Sequence, residues 1–213
     1  MTTLRSQVLS YLNMPILEVL QVRLKDGISA GDPSLLRNLA TVRSKIKTNS
    51  RFYVSLKNPQ LVFILGEWPS LAAHKVFLAS AERNDILSPQ DEQVEFQWMA
   101  HLEFGGMSHL PLEAPVLIIS RYVFLNHDSL ELCQALDKAE TTLQQHTDPL
   151  PVIIGWRCDS EPGNNEYFQF SGWEREGMHA IIREVLQESI SGVHEDNLKC
   201  MEIFEVVDME RGL

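Results

Sequence analysis

The feature that most constrains this chain is that it repeats itself about once every 100 residues. Residues 65–78 (LGEWPSLAAHKVFL) and 170–183 (FSGWEREGMHAIIR) share one Trp–His spacing, preceded by an apolar strand-like run and followed by an amphipathic helical pattern. The aligned pairs, both 105 positions apart, are Trp68 with Trp173 and His74 with His179. We therefore expect the two halves to be copies of one fold.

Each half is predicted to contain, in this order, a strand, a helix, two strands, a helix and a strand. The first half is predicted to have strands at 16–24, 52–56, 60–67 and 94–104, and helices at 33–48 and 70–82. The second half is predicted to have strands at 116–125, 152–158, 166–173 and 198–207, and helices at 129–145 and 176–189. Asp32 before Pro33 is a typical helix start, and we expect Asp128 or Ser129 to cap the corresponding helix.

The order βαββαβ is that of a ferredoxin-like unit, so the fold class is α+β with two ferredoxin-like repeats. We expect an N-terminal helical extension over residues 1–13, a first domain over 14–104 and a linker over 105–114, which carries Gly105-Gly106 and two prolines. The second domain is expected over 115–213. One face of such a sheet packs on its helices, and two units can cover each other's open faces.

Composition narrows the functional classes. With 18 basic and 29 acidic residues the formal net charge is −11, which argues against a nucleic-acid partner. The apolar runs are too short for a membrane span, and the first 30 residues lack the pattern of a signal peptide. The three scattered cysteines indicate reduced thiols in a cytoplasmic protein.

The stretch Gly66–Ser80 (GEWPSLAAHKVFLAS) and its echo SGWEREGMHAI resemble the antibiotic-biosynthesis-monooxygenase (ABM) type of dimeric α+β barrel domain. The resemblance implies a fused pseudo-dimer that forms an intrachain barrel, with a cavity between sheet and helices in each domain. It also implies a range of activities, among them cofactor-independent oxygenation of aromatics, polyketide ring closure and haem degradation. The Asn and His that haem-degrading relatives use have no counterpart here, which disfavours haem chemistry.

The candidate catalytic residues are His74 and His179, each at the start of the second helix of its half. A neutral imidazole beside an apolar cavity can take a proton from a phenol or an enol. The alternative is that each is an ordinary boundary residue at a helix N-terminus. The first half matches the family more closely, so His74 is the stronger candidate. No sequence pattern typical of a metal site is present, and neither a metal nor a cofactor is expected.

Aromatic side chains are the candidates for substrate binding. They are Trp68, Trp98 and Tyr53 in the first half, and Trp173, Trp156 and Tyr122 in the second. Each could instead be a core anchor. Tyr122, Arg23 and Arg121 are also candidates to hold an oxyanion, with a position at the sheet edge as the alternative. His101 has opposite parity to Trp98 on its strand and is expected to point away from the cavity.

The resemblance, together with the candidate histidines, implies a cofactor-free monooxygenase or cyclase that acts on a small apolar or aromatic, polyketide-like metabolite. The alternative is a non-catalytic module on the same fold that binds a small ligand or a partner protein. A cavity of roughly 300 Å³ or more with converging polar groups would favour catalysis. The chain is expected to be a monomeric pseudo-dimer or a homodimer.

Overall fold

A computed structural model describes residues 15–103, 105–125, 130–160, 164–190 and 197–211. The predicted N-terminal helix and the predicted caps Asp128 and Ser129 lie outside these residues. The chain divides into two compact units, which we describe separately. The first unit contains residues 15–54, 58–107 and 209–211, and the second contains residues 55–57 and 108–208, both without the positions that are not described.

The first unit has an antiparallel sheet of order β4-β1-β3-β2. Its strands are β1 (Ile16–Leu24), β2 (Arg51–Ser55), β3 (Leu61–Trp68) and β4 (Val94–Leu102). Its helices are α1 (Pro33–Ile46), α2 (Leu71–Leu78) and α3 (Glu82–Asp91). A core of eight buried residues, among them Leu24, Leu35 and Phe52, joins the sheet to α1.

Local sequence explains where α1 begins and ends. The Asp32 carboxylate accepts a hydrogen bond from the backbone N–H of Ser34, and Pro33 occupies the first turn. Lys47 closes the helix with a left-handed φ of 58°. Leu35, Leu39 and Val42 lie on one stripe and are buried. The predicted helix start was therefore correct, and the end falls two residues before the predicted one.

The helix predicted over residues 70–82 ends earlier than expected, at Leu78, and the helix that follows it, α3, was not predicted. Ser70 caps α2 by accepting a hydrogen bond from the Ala73 N–H. The helix stops at Ala79, and a turn of three residues precedes α3. The new start at Glu82 places two acidic side chains, Glu82 and Asp85, in the first turn of α3, where the helix dipole favours them.

The second unit repeats the order of elements with one helix fewer. Its strands are β5 (Val116–Phe124), β6 (Val152–Trp156), β7 (Asn165–Trp173) and β8 (Leu198–Asp208), in the order β8-β5-β7-β6. Its helices are α4 (Leu130–Thr147) and α5 (His179–Ile190). The α+β class agrees with the prediction, and all pairs within the unit are antiparallel. No helix in the described part of the chain is long and apolar enough to cross a membrane.

The linker packs on the third strand of each unit. In the first unit the Glu67 carboxylate accepts a hydrogen bond of 2.7 Å from the backbone N–H of Met107. In the second unit Gly172 lies where a β-carbon would come within 2.7 Å of Pro111 and 2.9 Å of Ala114. A 3₁₀ turn at Met107–His109 separates these two contacts.

Candidate functional site

The first unit contains a cavity of about 430 Å³ between its sheet and its three helices. Most of its lining is apolar. The wall contains residues from the sheet and from each helix, such as Leu20, Ile64, Val42, Phe77, Leu87 and Met99. Volumes of roughly 300–1,000 Å³ with a few convergent polar groups are typical of small-molecule sites. This cavity has such groups at its inner end, where Glu18, Trp68 and His74 line it.

The register of the sheet brings the polar groups of the inner end together. Glu18 of β1 lies opposite His101 of β4, and Ile16 lies opposite Trp68 of β3. Directly opposed residues project from the same face of a sheet. His74 lies in the first turns of α2, whose start is fixed by the Ser70 cap, and its ring stacks on Trp68 with centroids 4.4 Å apart.

These four side chains form one buried hydrogen-bonded network. The Trp68 Nε1–H donates to Glu18 Oε2 at 2.8 Å, and His74 Nε2 lies 3.2 Å from the same oxygen. His74 Nδ1 lies 2.7 Å from His101 Nε2. If Nε2 of His74 donates to the carboxylate, its Nδ1 accepts from His101. The side chains therefore connect in the order Glu18, His74, His101, from the cavity wall inwards.

The same three residues are of metal-ligating type. One nitrogen or oxygen from each of Glu18, His74 and His101 lies within 4.8 Å of the others. In this structure, however, the two imidazoles contact each other directly, and the carboxylate is held by His74 and Trp68. A chain of carboxylate and imidazole groups can accept a proton at one end and pass it along. The arrangement can therefore pass a proton between these three side chains.

The outer end of the cavity is exposed. Phe96 and Leu78, which line it, are 66% and 37% exposed, whereas His74 is 3% exposed. The charged lining residues outside the inner network are Arg43, Arg83 and Asp91. Arg43 is engaged, since it forms two hydrogen bonds with the Glu210 carboxylate and lies over the Phe52 ring.

Two predicted substrate-binding residues do not belong to this cavity. Tyr53 and Trp98 lie on the opposite face of the sheet, where Tyr53 is paired with Phe63 and Trp98 packs edge-on against the Phe63 ring. The expectation that His101 points away from the cavity face was also wrong. Trp98 and His101 do lie on opposite faces of β4, as predicted, but the strand register shifts between Phe96 and Trp98. This irregularity interrupts the predicted alternation, so that Phe96 and Met99 line the cavity and Trp98 does not.

The second unit places its matching residues differently. His179 Nδ1 lies 2.9 Å from Glu205 Oε1, and its side chain is 37% exposed. Glu205 lies opposite Ile118 in the sheet, as His101 lies opposite Glu18. The second unit thus has Ile118 in the position of Glu18 and Glu205 in that of His101. This change separates the histidine from any buried histidine partner among the described residues.

The Glu205 carboxylate instead fixes the start of α5. It accepts hydrogen bonds of 2.9 Å from the backbone N–H groups of Gly177 and His179. Burial alone would raise the pKa of Glu205, but these hydrogen bonds and the contact with His179 lower it below its usual value. Glu205 is therefore a structural anchor for the first turn of the helix.

The predicted aromatic residues of the second unit are mostly packed in its core. Tyr122 is fully buried, its hydroxyl donates to Gln169 at 3.2 Å, and burial raises its pKa to about 12. Trp156 packs edge-on against Tyr167 with centroids 5.1 Å apart. Trp173 donates to Ser171 and lines a smaller cavity of about 250 Å³, which neither Tyr122 nor Trp156 lines.

The two candidate oxyanion residues on the first strands are also engaged. Arg121 forms ion pairs with Glu166 and Glu202, at 2.7 and 2.8 Å. Arg23 donates to the Gln60 side chain on the exposed surface. Both arginines lie on strands that have a neighbour on each side, so the sheet-edge alternative does not describe them either.

Glu18 was absent from the predicted site, although it is central to the network. Its signal in the sequence was a lone acidic residue within a mostly apolar strand, at a position where a burial cost must be offset by a partner. His101 gave a similar signal within β4. The two could be connected only through the strand register, which the sequence does not display.

Comparison with known proteins gives likeness in fold alone. No protein-family model and no curated protein sequence matches the chain. Among solved structures, a candidate monooxygenase from Lactobacillus acidophilus is 12% identical with a TM-score of 0.56, over 92% of this chain and 94% of that one. An anthrone oxidase-like protein is 11% identical with a TM-score of 0.61, over 91% of each chain.

A chlorite dismutase variant from Candidatus Nitrospira defluvii reaches the same TM-score of 0.61 at 10% identity, over 96% of this chain and 95% of that one. The shared fold therefore accompanies proteins whose names denote different reactions. Function has to be argued from the site.

Proposed function

We propose that the first unit is a cofactor-free monooxygenase or cyclase that acts on an aromatic, polyketide-like metabolite in its 430 Å³ cavity. The observation that carries the proposal is the buried Glu18–His74 pair at the inner end of an otherwise apolar cavity. Monooxygenation of an electron-rich carbonyl compound and ring closure of a polyketide share one first step, the removal of a proton from a carbon whose carbanion is conjugated with a carbonyl. The pair is suited to that step.

In the proposed mechanism the aromatic body of the substrate packs against Trp68 and the apolar lining. Its acidic C–H faces Glu18 and His74, which accept the proton, and the hydrogen bond between His74 and His101 distributes the positive charge that develops. The Trp68 N–H holds the Glu18 carboxylate in place. With the proton removed, the electron-rich carbanion reacts either with O₂ or with a carbonyl carbon of the same molecule.

Anthrone is a suitable first probe, because a neighbour in fold is named as anthrone oxidase-like. The reaction balances without a cofactor. Anthrone loses a proton from its CH₂ group, the carbanion adds O₂ to give a hydroperoxide, and loss of water leaves anthraquinone. One O₂ is consumed and one water is formed per turnover. Oxygen uptake and quinone absorbance can be followed together.

We expect His74→Ala to lower kcat for this reaction by about 10²-fold or more, the usual contribution of a general base. His109→Ala is the matched control, since His109 is exposed and lies outside the cavity. Full activity in His74→Ala would overturn the assignment, and loss of activity in His179→Ala alone would move it to the second unit. Activity that survives dialysis against EDTA is expected for a metal-free reaction.

Wild-type protein that binds anthrone without turnover would favour the alternative, a small-ligand-binding module on the same fold. The repeat, the element order and the fold neighbours support a wider proposal, that the chain is a tandem member of the ABM-like dimeric α+β barrel group. Cys133, Cys158 and Cys200 are exposed and form no disulfide bond with one another, which supports placing the protein in the cytoplasm.

A further inference from the structure

The cationic groups near the outer end of the first-unit cavity differ in their hydrogen-bond partners. Arg43 is held by Glu210 and by the backbone carbonyl of Ser50, so its guanidinium is committed to the protein. Lys25 lies close by and donates to the main-chain carbonyl of Asp91. Arg83 is the cation of the lining that has no such commitment.

Arg83 is half-buried and lies in the first turn of α3. Its guanidinium donates to the amide oxygen of Asn84, its neighbour in sequence, at 2.9 Å. No carboxylate among the described residues forms an ion pair with it. A guanidinium has five N–H donors in a fixed fork that matches a carboxylate or a phenolate. Most of these donors are available to a ligand.

The surroundings of Arg83 strengthen the attraction between its guanidinium and an anionic ligand. The cavity lining that includes Arg83 is mostly apolar and also contains Leu78 and Leu87. An ion pair in partly desolvated surroundings is stronger than one in open water. The chain as a whole carries a net charge of −11 and repels anions at long range, so an anionic ligand needs a local cation. Asp91 is the opposing charge of the lining, but it is exposed and lies near the Lys25 ammonium group.

We propose that the substrate of this cavity carries an anionic oxygen group, a carboxylate or a phenolate, at the outer end of its aromatic body, and that Arg83 binds this group. The inference rests on the proposed function, since it places the reacting carbon at Glu18 and His74 and the anionic end at the rim. Arg83 thereby determines specificity and takes no part in the proton transfer.

The test compares two product-like ligands that differ only in charge, anthraquinone-2-carboxylate and 2-(hydroxymethyl)anthraquinone, by isothermal titration calorimetry. The full-length wild-type protein should bind the carboxylate on the order of tenfold more tightly, as expected for a charge-assisted hydrogen bond. Arg83→Met should remove this preference and leave the affinity for the alcohol within about twofold. Arg83→Lys should retain part of it.

Arg37→Met is the matched control, because Arg37 is an exposed arginine of α1 that does not line the cavity. Unchanged binding of the alcohol shows that the Arg83 variant is folded. If both ligands bind equally to the wild type, or if the preference survives in Arg83→Met, the inference is wrong while the cavity assignment stands. If neither ligand binds to the wild type, the proposed function falls and the inference with it.

Discussion

At the scale of single residues, the site depends on how three polar side chains are held. Glu18 and His101 lie on neighbouring strands and His74 on a helix, and each contacts at least one of the others. Burial makes every unmet hydrogen bond in this network costly, so loss of one partner disturbs the rest. The roles of Glu18 and His101 can nevertheless be separated by substitution.

We expect Glu18→Gln to behave as His74→Ala does, since the amide keeps an acceptor for Trp68 but loses the negative charge that the proton transfer requires. His101→Phe should lower kcat by only about tenfold and leave KM unchanged, because His101 acts through the His74 imidazole. His101→Gln, which restores a donor, should recover part of the loss. Steady-state kinetics with anthrone checks all three variants. An increase in KM with constant kcat for His101→Phe would contradict its role as a positioning residue.

At the scale of elements, the third strand of each unit must accept the linker at close range. Gly172 of β7 has Pro111, Ala114 and Leu150 so near that an added β-carbon would meet all three within 3.2 Å. We expect Gly172→Ala to lower the free energy of unfolding by roughly 1–3 kcal/mol through overpacking. Gly31→Ala is the control, because a β-carbon added at Gly31 would have no atom within 4 Å. Urea titration of each variant measures the change in stability. Equal stability of the two variants would show that the linker moves to accommodate the added methyl group.

The start of α5 should respond to pH through Glu205. Its folded pKa lies below the usual 4.5, so the stability it contributes is complete above about pH 4.5 and is lost as the pH falls through the folded pKa. Glu205→Gln should therefore lower stability by roughly 1–3 kcal/mol at pH 7 and by less at pH 3 to 4. Glu184→Gln, an exposed change on the same helix, is the control. A stability loss that does not depend on pH would contradict this account.

The elements also mark what could be predicted from the sequence. Strand β1 was predicted with the correct ends, and α1 with the correct start, since apolar alternation and the Asp32-Pro33 start act locally. Helix α3 was missed, because its sequence (ERNDILSPQD) is mostly polar and contains Pro89, so it shows no apolar stripe. The pairing of Glu18 with His101 was missed for another reason. It depends on register between strands that lie some 80 residues apart in the chain.

At the scale of the whole molecule, the two units share an order of elements but differ in what their sheets and helices enclose. The first has a cavity of about 430 Å³ at an acid–base pair, whereas fourteen buried residues form the corresponding core of the second. Duplication alone would give two similar sites. The second unit has Ile118 at the position of Glu18 and Glu205 at the position of His101. The proposed activity is therefore placed in the first unit.

The expectation that the chain completes a barrel by itself stays a prediction. Native mass spectrometry of the purified protein should give a monomer of 24.3 kDa, with a bound small molecule that denaturation releases. A dimer of twice this mass would mean that two chains associate, against the expectation that one chain completes the barrel by itself. The same measurement on His74→Ala separates ligand capture from turnover.

The first unit takes in residues from the far end of the chain, and this has a consequence for synthesis. Its β2 receives a hydrogen bond from Met209, and its Arg43 is bound by Glu210. A ribosome makes about 5–20 residues per second, so the first unit waits several seconds for these contacts after its own strands have emerged. During that interval the Phe52 edge is unfinished, and a nascent chain would need protection there until residues 209–211 leave the exit tunnel.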